Sequence, residues 1–377
     1  MYRIVCAVGT RPEAIKMAPL IRALREDEKG RFAVMVLSTG QHQSMLHQAL
    51  ERFEIEADVD LNIMRDRQTL DHITSAVLVG VGEFLDEHPQ DMLLVHGDTS
   101  TTLAAALAGF YRHIPVGHVE AGLRSHDMSL PFPEEANRVL ADRLASLFFA
   151  PTEGDAENLR REGAAPDRVH VTGNTVIDAL FWTLERHSEP RTAPEASPQS
   201  EGPLILMTAH RRESWGAPLE RICGAVAELL RERPELRFLI PLHKNPTVRD
   251  AIRRDLGAFA SRPSSQVIFT EPLDYPDFVA AMNRSALILT DSGGIQEEAS
   301  ALRKPVLILR TLSERPEAVT LGTGVLVGTD PGTILREVRR VLDDAEYRRS
   351  FAMKGTPFGD GKASLRIRDI IGRYLAE

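Results

Sequence analysis

Asp98, Glu120 and Glu134 stand out first as residues that could move protons. The apolar runs 91–95 and 116–119 end in His96-Gly97-Asp98-Thr99 and Glu120-Ala121-Gly122, and Leu130-Pro131-Phe132-Pro133-Glu134-Glu135 leads into a stretch with Asn137 and Arg138. Each acid alone has an ordinary reading as a helix N-cap or a first-turn acid. Asp98 before Thr99 fits an N-cap and Glu134 a first helical turn, whereas Glu120, with Ala-Gly-Leu-Arg after it, fits neither. Three carboxyls at the mouth of one sheet can instead share out acid and base roles, when their surroundings push their pKa values apart.

A second group of residues suits a nucleoside diphosphate. Gly9-Thr10-Arg11-Pro12-Glu13, with Lys16 a turn later, joins a glycine turn to cations at a helix start. That combination binds phosphate, or is simply a strand–helix turn with solvated charges. In Met207-Thr208-Ala209-His210-Arg211-Arg212-Glu213, a histidine followed by two arginines can hold a diphosphate or supply a proton. His243-Lys244-Asn245-Pro246 follows a further apolar run. Thr290-Asp291-Ser292-Gly293-Gly294-Ile295-Gln296-Glu297-Glu298 places adjacent glycines before an acid one turn on. Such glycines let backbone N–H groups approach an anion, and the acid can accept ribose hydroxyls.

Composition limits the alternatives. The 377 residues carry a net charge of −9, which argues against a general nucleic-acid or anionic-membrane binder. The opening MYRIVCAVGTRPEA reads as a strand rather than a signal peptide, and runs such as Leu103–Tyr111 fall short of the roughly 20 apolar residues that span a bilayer. Two cysteines, Cys6 and Cys223, are too few for a disulfide framework or a cysteine zinc site, as expected of a soluble protein in a reducing compartment. Gly80-Val81-Gly82 lacks the third glycine of a dinucleotide fingerprint, and Gly361-Lys362-Ala363 does not complete a Walker loop. No metal-binding spacing occurs among the histidines, so neither a metal nor a cofactor is expected.

The elements that must position these residues alternate strand with helix. Strands are expected at 3–8, 33–38, 91–95, 116–119, 147–150 and 169–171, then at 204–207, 237–241, 267–269, 287–290, 305–309 and 324–327. Helical stretches include 13–25, 69–87, 176–186, 217–231, 274–283 and 364–376. This rhythm implies parallel sheets with helices on both faces, and twelve strands suit two doubly wound domains better than one open sheet. In such sheets ligands bind beyond the carboxyl ends of the strands, where the acids and glycines quoted above fall. The Pro-, Ser- and Glu-rich stretch Ser188–Gly202 reads as a linker or a long surface loop.

In order along the chain, GTRPEAIKMAPL, STGQHxxML, RQTL, HGDT, VEAGLR, PFPEEANR, TGNTVIDAL, HRRES, DSGGIQEEA, SERPEAVT and GDGKAS resemble the motifs of the non-hydrolysing UDP-N-acetylglucosamine 2-epimerases, from Gly9 to Ser364. The resemblance implies two Rossmann-like domains of the GT-B type with substrate in the cleft. It puts one domain at 1–170, rejoined by a C-terminal helix at 359–377, and a UDP-binding domain at 171–358, making Ser188–Gly202 an internal loop. It implies a cytoplasmic homodimer that interconverts UDP-GlcNAc and UDP-ManNAc. The C2 hydrogen has no adjacent carbonyl, so the implied route is elimination of UDP to 2-acetamidoglucal and re-addition with a proton on the other face. By resemblance Asp98, Glu120, Glu134 and His210 are catalytic, with acid and base unassigned among the carboxyls. Arg11, Lys16, Arg138, Phe278, Ser292, Gly293 and Glu298 contact substrate; for Lys16 and Arg138, orienting the carboxylates is an equal reading. Gln41, His42, Arg67, Gln68, Arg211 and His243 match a second UDP-GlcNAc site that activates bacterial members. Ser44, where glutamine is common, departs from that pattern, and Ala209 replaces a glycine. The rivals are an epimerase of a modified sugar such as UDP-2,3-diacetamido-glucuronic acid, a GT-B glycosyltransferase, and a catalytically silent UDP-sugar sensor.

Overall fold

The computed structural model describes residues 1–40, 43–63, 65, 68–187, 202–211, 214–261, 266–313 and 315–377, with only the backbone at 43 and 44. Residues 188–201, and with them nearly all of the expected loop, lie outside the described residues.

Short aliphatic runs bury as strands and the amphipathic stretches between them cover the sheets. The first series is β1 (Tyr2–Val8), α1 (Arg11–Arg25), β2 (Phe32–Ser38), α2 (Gln43–Arg52), β3 (Val59–Asp60), α3 (Leu70–Glu87) and β4 (Met92–His96). It continues through α4 (Ser100–Tyr111), β5 (Val116–Val119), α5 (Glu134–Leu144), β6 (Leu147–Ala150), α6 (Glu153–Arg161), β7 (Val169–Val171) and α7 (Thr175–Arg186). The second is β8 (Leu204–Thr208), α8 (Ala217–Glu232), β9 (Arg237–Pro241), α9 (Pro246–Ala260), β10 (Val267–Thr270), α10 (Tyr275–Arg284) and β11 (Leu287–Thr290). It ends with α11 (Gly293–Ala301), β12 (Val306–Ile308), α12 (Pro316–Thr320), β13 (Gly324–Leu326), α13 (Pro331–Asp343) and α14 (Ala345–Met353), before α15 (Ala363–Tyr374). The strand missing from the sequence reading is β3, whose two residues are too short to show a periodicity.

The first sheet has the order β3-β2-β1-β4-β5-β6-β7 and the second β10-β9-β8-β11-β12-β13. Every pairing is parallel. Both are doubly wound sheets of the Rossmann type, and both reverse direction once, between β1 and β4 and between β8 and β11. Register brings the tips of those neighbours level: Cys6 faces Leu94, and Thr208 faces Thr290. Ligand sites are therefore due beyond β1/β4 and β8/β11.

The chain divides into two units, Met1–Trp182 with Phe358–Glu377, and Thr183–Pro357. The first unit thus runs past residue 170. β7 extends its sheet by pairing with β6, Phe148 opposite Val169 through Ala150 opposite Val171. On α7, the Asp178 carboxylate accepts the Ala363 and Ser364 N–H groups, so helix α7 and the start of α15 are fastened together. In the first unit one core joins Val5, Ala7, Leu37, Leu93 and Val95 of the sheet to α3 and α4; in the second, Ile205, Met207, Phe238, Leu287 and Leu307 pack against α8, α9 and α13. Each such fully buried aliphatic side chain contributes about 1.5–3 kcal/mol of transfer free energy, against the entropy of ordering the chain.

Candidate active site

In the first unit the switch point is built around Glu13. Thr10 caps α1 and forms a reciprocal capping box with Glu13, whose carboxylate is buried. One oxygen, Oε2, accepts the Gly9 N–H at 2.9 Å and the Thr10 N–H at 2.7 Å; the other accepts the Thr99 hydroxyl at 2.7 Å and lies 3.2 Å from the Thr102 hydroxyl oxygen. Glu13 so ties the turn after β1 to the turn after β4. Gly9 is required there, because a Cβ would lie 2.2 Å from Thr101 Oγ1 and 2.7 Å from Thr39 Oγ1. Arg11 is half-buried in the first turn of α1.

Lys16, two positions past the first turn, donates from Nζ to Glu120 Oε2 at 2.5 Å. His96 Nε2 lies 3.0 Å from the same oxygen. Glu120 itself sits just after β5 at φ 64°, in the left-handed region, which turns its side chain out of the strand direction. Asp98 accepts from Arg138 Nη2 at 2.6 Å, and Arg138 Nη1 stands 3.4 Å from Glu135. Arg138 Nε and Nη1 are buried and make no hydrogen bond among the described residues. Glu134 opens α5. Desolvation pushes the Asp98 carboxyl above its usual range; Arg138 and Lys16 pull it down, while Glu120 and Glu134 add to the rise. Asp98, Glu120, Glu134, Lys16 and Arg138 are thus brought together at one strand mouth. Asp98 is not a helix cap, however: Thr99 caps α4, accepting the Thr102 N–H. The carboxyl pairs with Arg138 instead.

Sequence reasoning missed the buried partners Glu13, His96, His118 and Asp142. A histidine inside a buried parallel strand, as His118 is, was the available signal, since a fully buried polar ring demands partners.

In the second unit Asp291, fully buried at the end of β11, plays the organising part. Its Oδ2 accepts the His210 and Arg211 N–H groups, each at 2.8 Å, and the Ser214 hydroxyl at 3.2 Å. His210 Nδ1 lies 3.3 Å from Asp291 Oδ1, which leaves Nε2 as the outward nitrogen. The His210 and His243 rings stack at 5.7 Å and 18°. The His243 Nδ1 accepts the Asn245 N–H. Ser292, at the N-cap of α11, makes no side-chain capping bond, and a Cβ on Gly294 would meet nothing within 4 Å, so the helix start is uncrowded at Gly294. One turn on, Glu298 accepts the Tyr275 hydroxyl at 2.8 Å. Burial, then the Glu298 charge, pushes the Tyr275 phenol well above 10, so it stays a donor that orients this carboxylate. Phe278, half-buried three residues after Tyr275, lies on the same face of α10.

Arg211 and His243 are placed beside His210 as described, and Gln68 precedes α3 with its Oε1 buried and without a hydrogen bond among the described residues. Gln41, His42 and Arg67 lie outside the described residues, as do Arg212 and the side chain of Ser44. Among the described residues no group of three His, Cys, Asp or Glu is arranged to hold a metal ion, and no helix is long and apolar enough to cross a membrane.

Two Rossmann-like sheets, one with carboxylates and cations beyond its strands and one with a glycine-rich helix start followed a turn later by an acid, make up a nucleotide-binding class of α/β protein. The family model described as UDP-N-acetylglucosamine 2-epimerase matches residues 22–372. The UDP-N-acetylglucosamine 2-epimerase of Yersinia pestis is 48% identical over 97% of this chain and 97% of its own, and that of Escherichia coli strain K12 is 47% identical over 98% of each. Among solved structures, the UDP-GlcNAc 2-epimerase from Neisseria meningitidis bound to UDP-GlcNAc superimposes with a TM-score of 0.89 at 44% identity, over 98% of this chain and 100% of that one. This chain belongs to the UDP-N-acetylglucosamine 2-epimerase family.

Proposed function

We propose that this protein interconverts UDP-N-acetylglucosamine and UDP-N-acetylmannosamine by eliminating UDP from C1, with loss of the C2 proton, and re-adding it with a proton delivered to the opposite face of 2-acetamidoglucal. The observation that carries the reading is the gathering of Asp98, Glu120 and Glu134 with Lys16 and Arg138 at one strand mouth. Two faces of one carbon need two proton-handling groups, and the developing oxocarbenium needs an anion nearby. The Arg138 Nε and Nη1 groups, buried and without a hydrogen bond among the described residues, suit an incoming oxygen of the substrate.

The second unit supplies the nucleotide contacts. The α11 N-terminus with Ser292 and Gly293 takes the diphosphate, Glu298 takes the ribose hydroxyls and Phe278 lies beside uracil, while Arg11, in the first unit, is a further substrate contact. His210, oriented by Asp291, assists the departing diphosphate through its outward nitrogen.

The protein acts in the cytoplasm as a homodimer and is activated by a second UDP-GlcNAc through Gln41, His42, Arg67, Gln68, Arg211 and His243. The stacking of His243 on His210 supports that reading, because it joins an activator residue to a catalytic one. UDP-ManNAc alone should then be converted only after a lag that traces of UDP-GlcNAc abolish; an immediate linear rate would remove the activator site from the account.

The deciding experiment incubates the protein with UDP-GlcNAc in D₂O without added nicotinamide cofactor and follows the proton NMR spectrum. UDP-ManNAc carrying deuterium at C2 is the expected product. Intact UDP-GlcNAc with its C2 hydrogen unexchanged overturns the proposal.

A further inference from the structure

We propose that His118 is a positioning residue, which ties the turn carrying Asp98 and the turn after Glu120 to one buried ion pair with Asp142. The inference rests on the proton-transfer roles given to those two carboxyls above. His118 is fully buried in β5. Its Nε2 lies 2.8 Å from the Gly97 carbonyl and its Nδ1 2.6 Å from Asp142 Oδ1. A carbonyl can only accept, so Nε2 carries a hydrogen. Asp142 Oδ2 accepts Arg124 Nη2 at 2.7 Å and the Gly122 N–H at 3.3 Å; burial opposes its charge, but His118 and Arg124 outweigh it and hold the carboxyl below its usual range, so Oδ1 accepts as well and Nδ1 carries a hydrogen too. The ring is therefore an imidazolium. The charged groups around it are Asp142 on α5, Arg124 after β5, and Glu162 after α6, which holds Arg124 through Nε at 2.7 Å and Nη2 at 2.9 Å.

What the ring secures is the Gly97–Asp98 peptide plane. Three successive carbonyls of this turn each take a side-chain donor: His96 O from Thr102 at 2.6 Å, Gly97 O from His118, and Asp98 O from Asn137 at 2.9 Å. Only the middle donor is ionisable, and only it reaches, through Asp142 and Gly122, the segment that follows Glu120. Loss of a proton from His118 would remove one of its two hydrogen bonds and leave Asp142 with Arg124 alone as its cation. Misplacement of a reacting group by about 1 Å costs about 10²-fold in rate, which sets the expected size of the effect.

Three measurements test this. In wild-type protein labelled with ¹⁵N-histidine, both ring nitrogens of His118 should show protonated shifts at neutral pH; a neutral tautomer overturns the proposal. His118→Leu should lower kcat about 10²-fold with KM for UDP-GlcNAc within threefold of wild type, and His118→Gln, which keeps a donor for Gly97, should lose about tenfold. Full kcat in His118→Leu, or an equal rise in KM, overturns it. Should His118→Leu fail to fold, His118→Gln and the wild-type ring shifts decide. The third readout needs no turnover: the Asp98 carboxyl ¹³C titration should shift between wild type and His118→Gln, and an unchanged midpoint counts against positioning. If wild type fails to exchange the C2 hydrogen while the ring and carboxyl shifts behave as described, the proposed reaction fails and the positioning role stands.

Discussion

Glu120 and Asp98 sit at one strand mouth under different constraints. Glu120 receives Lys16 and lies against His96 through a single oxygen, whereas Asp98 has the Arg138 guanidinium and is raised by desolvation. Arg138 is the strongest influence holding the Asp98 carboxyl down, so Arg138→Gln should move its titration to higher pH. Whichever limb of the kcat/KM profile Asp98 sets should shift in the alkaline direction, and a shift toward acid would contradict the geometry. Asp98→Asn, Glu120→Gln and Glu134→Gln should each lower turnover about 10²-fold or more while UDP binding, measured by calorimetry, persists. Asp98 and Glu120 were legible in the sequence because each lies just after a strand tip, and Glu134 because it opens the next helix. Glu13, His118 and Asp291 were not legible as organisers. Their work is to accept or donate several buried hydrogen bonds at once, and a linear sequence does not show which backbone groups will face them.

At the scale of elements, strand existence was legible because buried parallel strands are short aliphatic runs; helix α1 starts at Arg11, two residues before the expected 13–25, because Thr10 and Glu13 form a capping box that the apolar pattern does not show. The allegiance of α7 was not. Its amphipathic pattern fits either unit, and its place is determined by Asp178, whose carboxylate takes the Ala363 and Ser364 N–H groups. Asp178 serves α15 as an N-cap supplied from another helix, since Lys362 at the cap position makes no capping bond. Removing such a cap costs about 0.5–2 kcal/mol, so Asp178→Ala should lower stability by that amount in chemical denaturation. Arg366 adds a second tie, donating to the Thr172 carbonyl at 3.1 Å and pairing with Asp360, whose carboxyl it lowers to about 2. An Asp178→Ala protein as stable as wild type would mean that this tie, rather than the cap, holds α15.

For the whole molecule, the ion network around His118 links protonation to folding. Desolvation opposes the charge on His118, but Asp142 and the Gly97 carbonyl outweigh it, so the folded ring titrates above the ordinary value of 6.5. The stabilisation is complete below that value and is lost as pH rises through the folded pKa. Wild type should therefore lose more stability than His118→Gln between neutral and alkaline pH, measured by urea unfolding; parallel curves would show that the ring does not titrate there. Nucleotide should act through the second unit: UDP at a hundred times its Kd should add about 2.7 kcal/mol. Glu298→Ala should need a higher UDP concentration for the same gain.

The first unit is made of two pieces of chain, with all of Thr183–Pro357 threaded between them. A ribosome synthesising this protein therefore releases β1 to β7 long before it has made α15. The second unit has all its strands in one stretch and can finish folding as it emerges, while the first, begun earlier, must wait for its last helix. Damage to the GDGKAS segment or to α15 should thus harm the half of the molecule that was translated first, the half that holds the carboxylates.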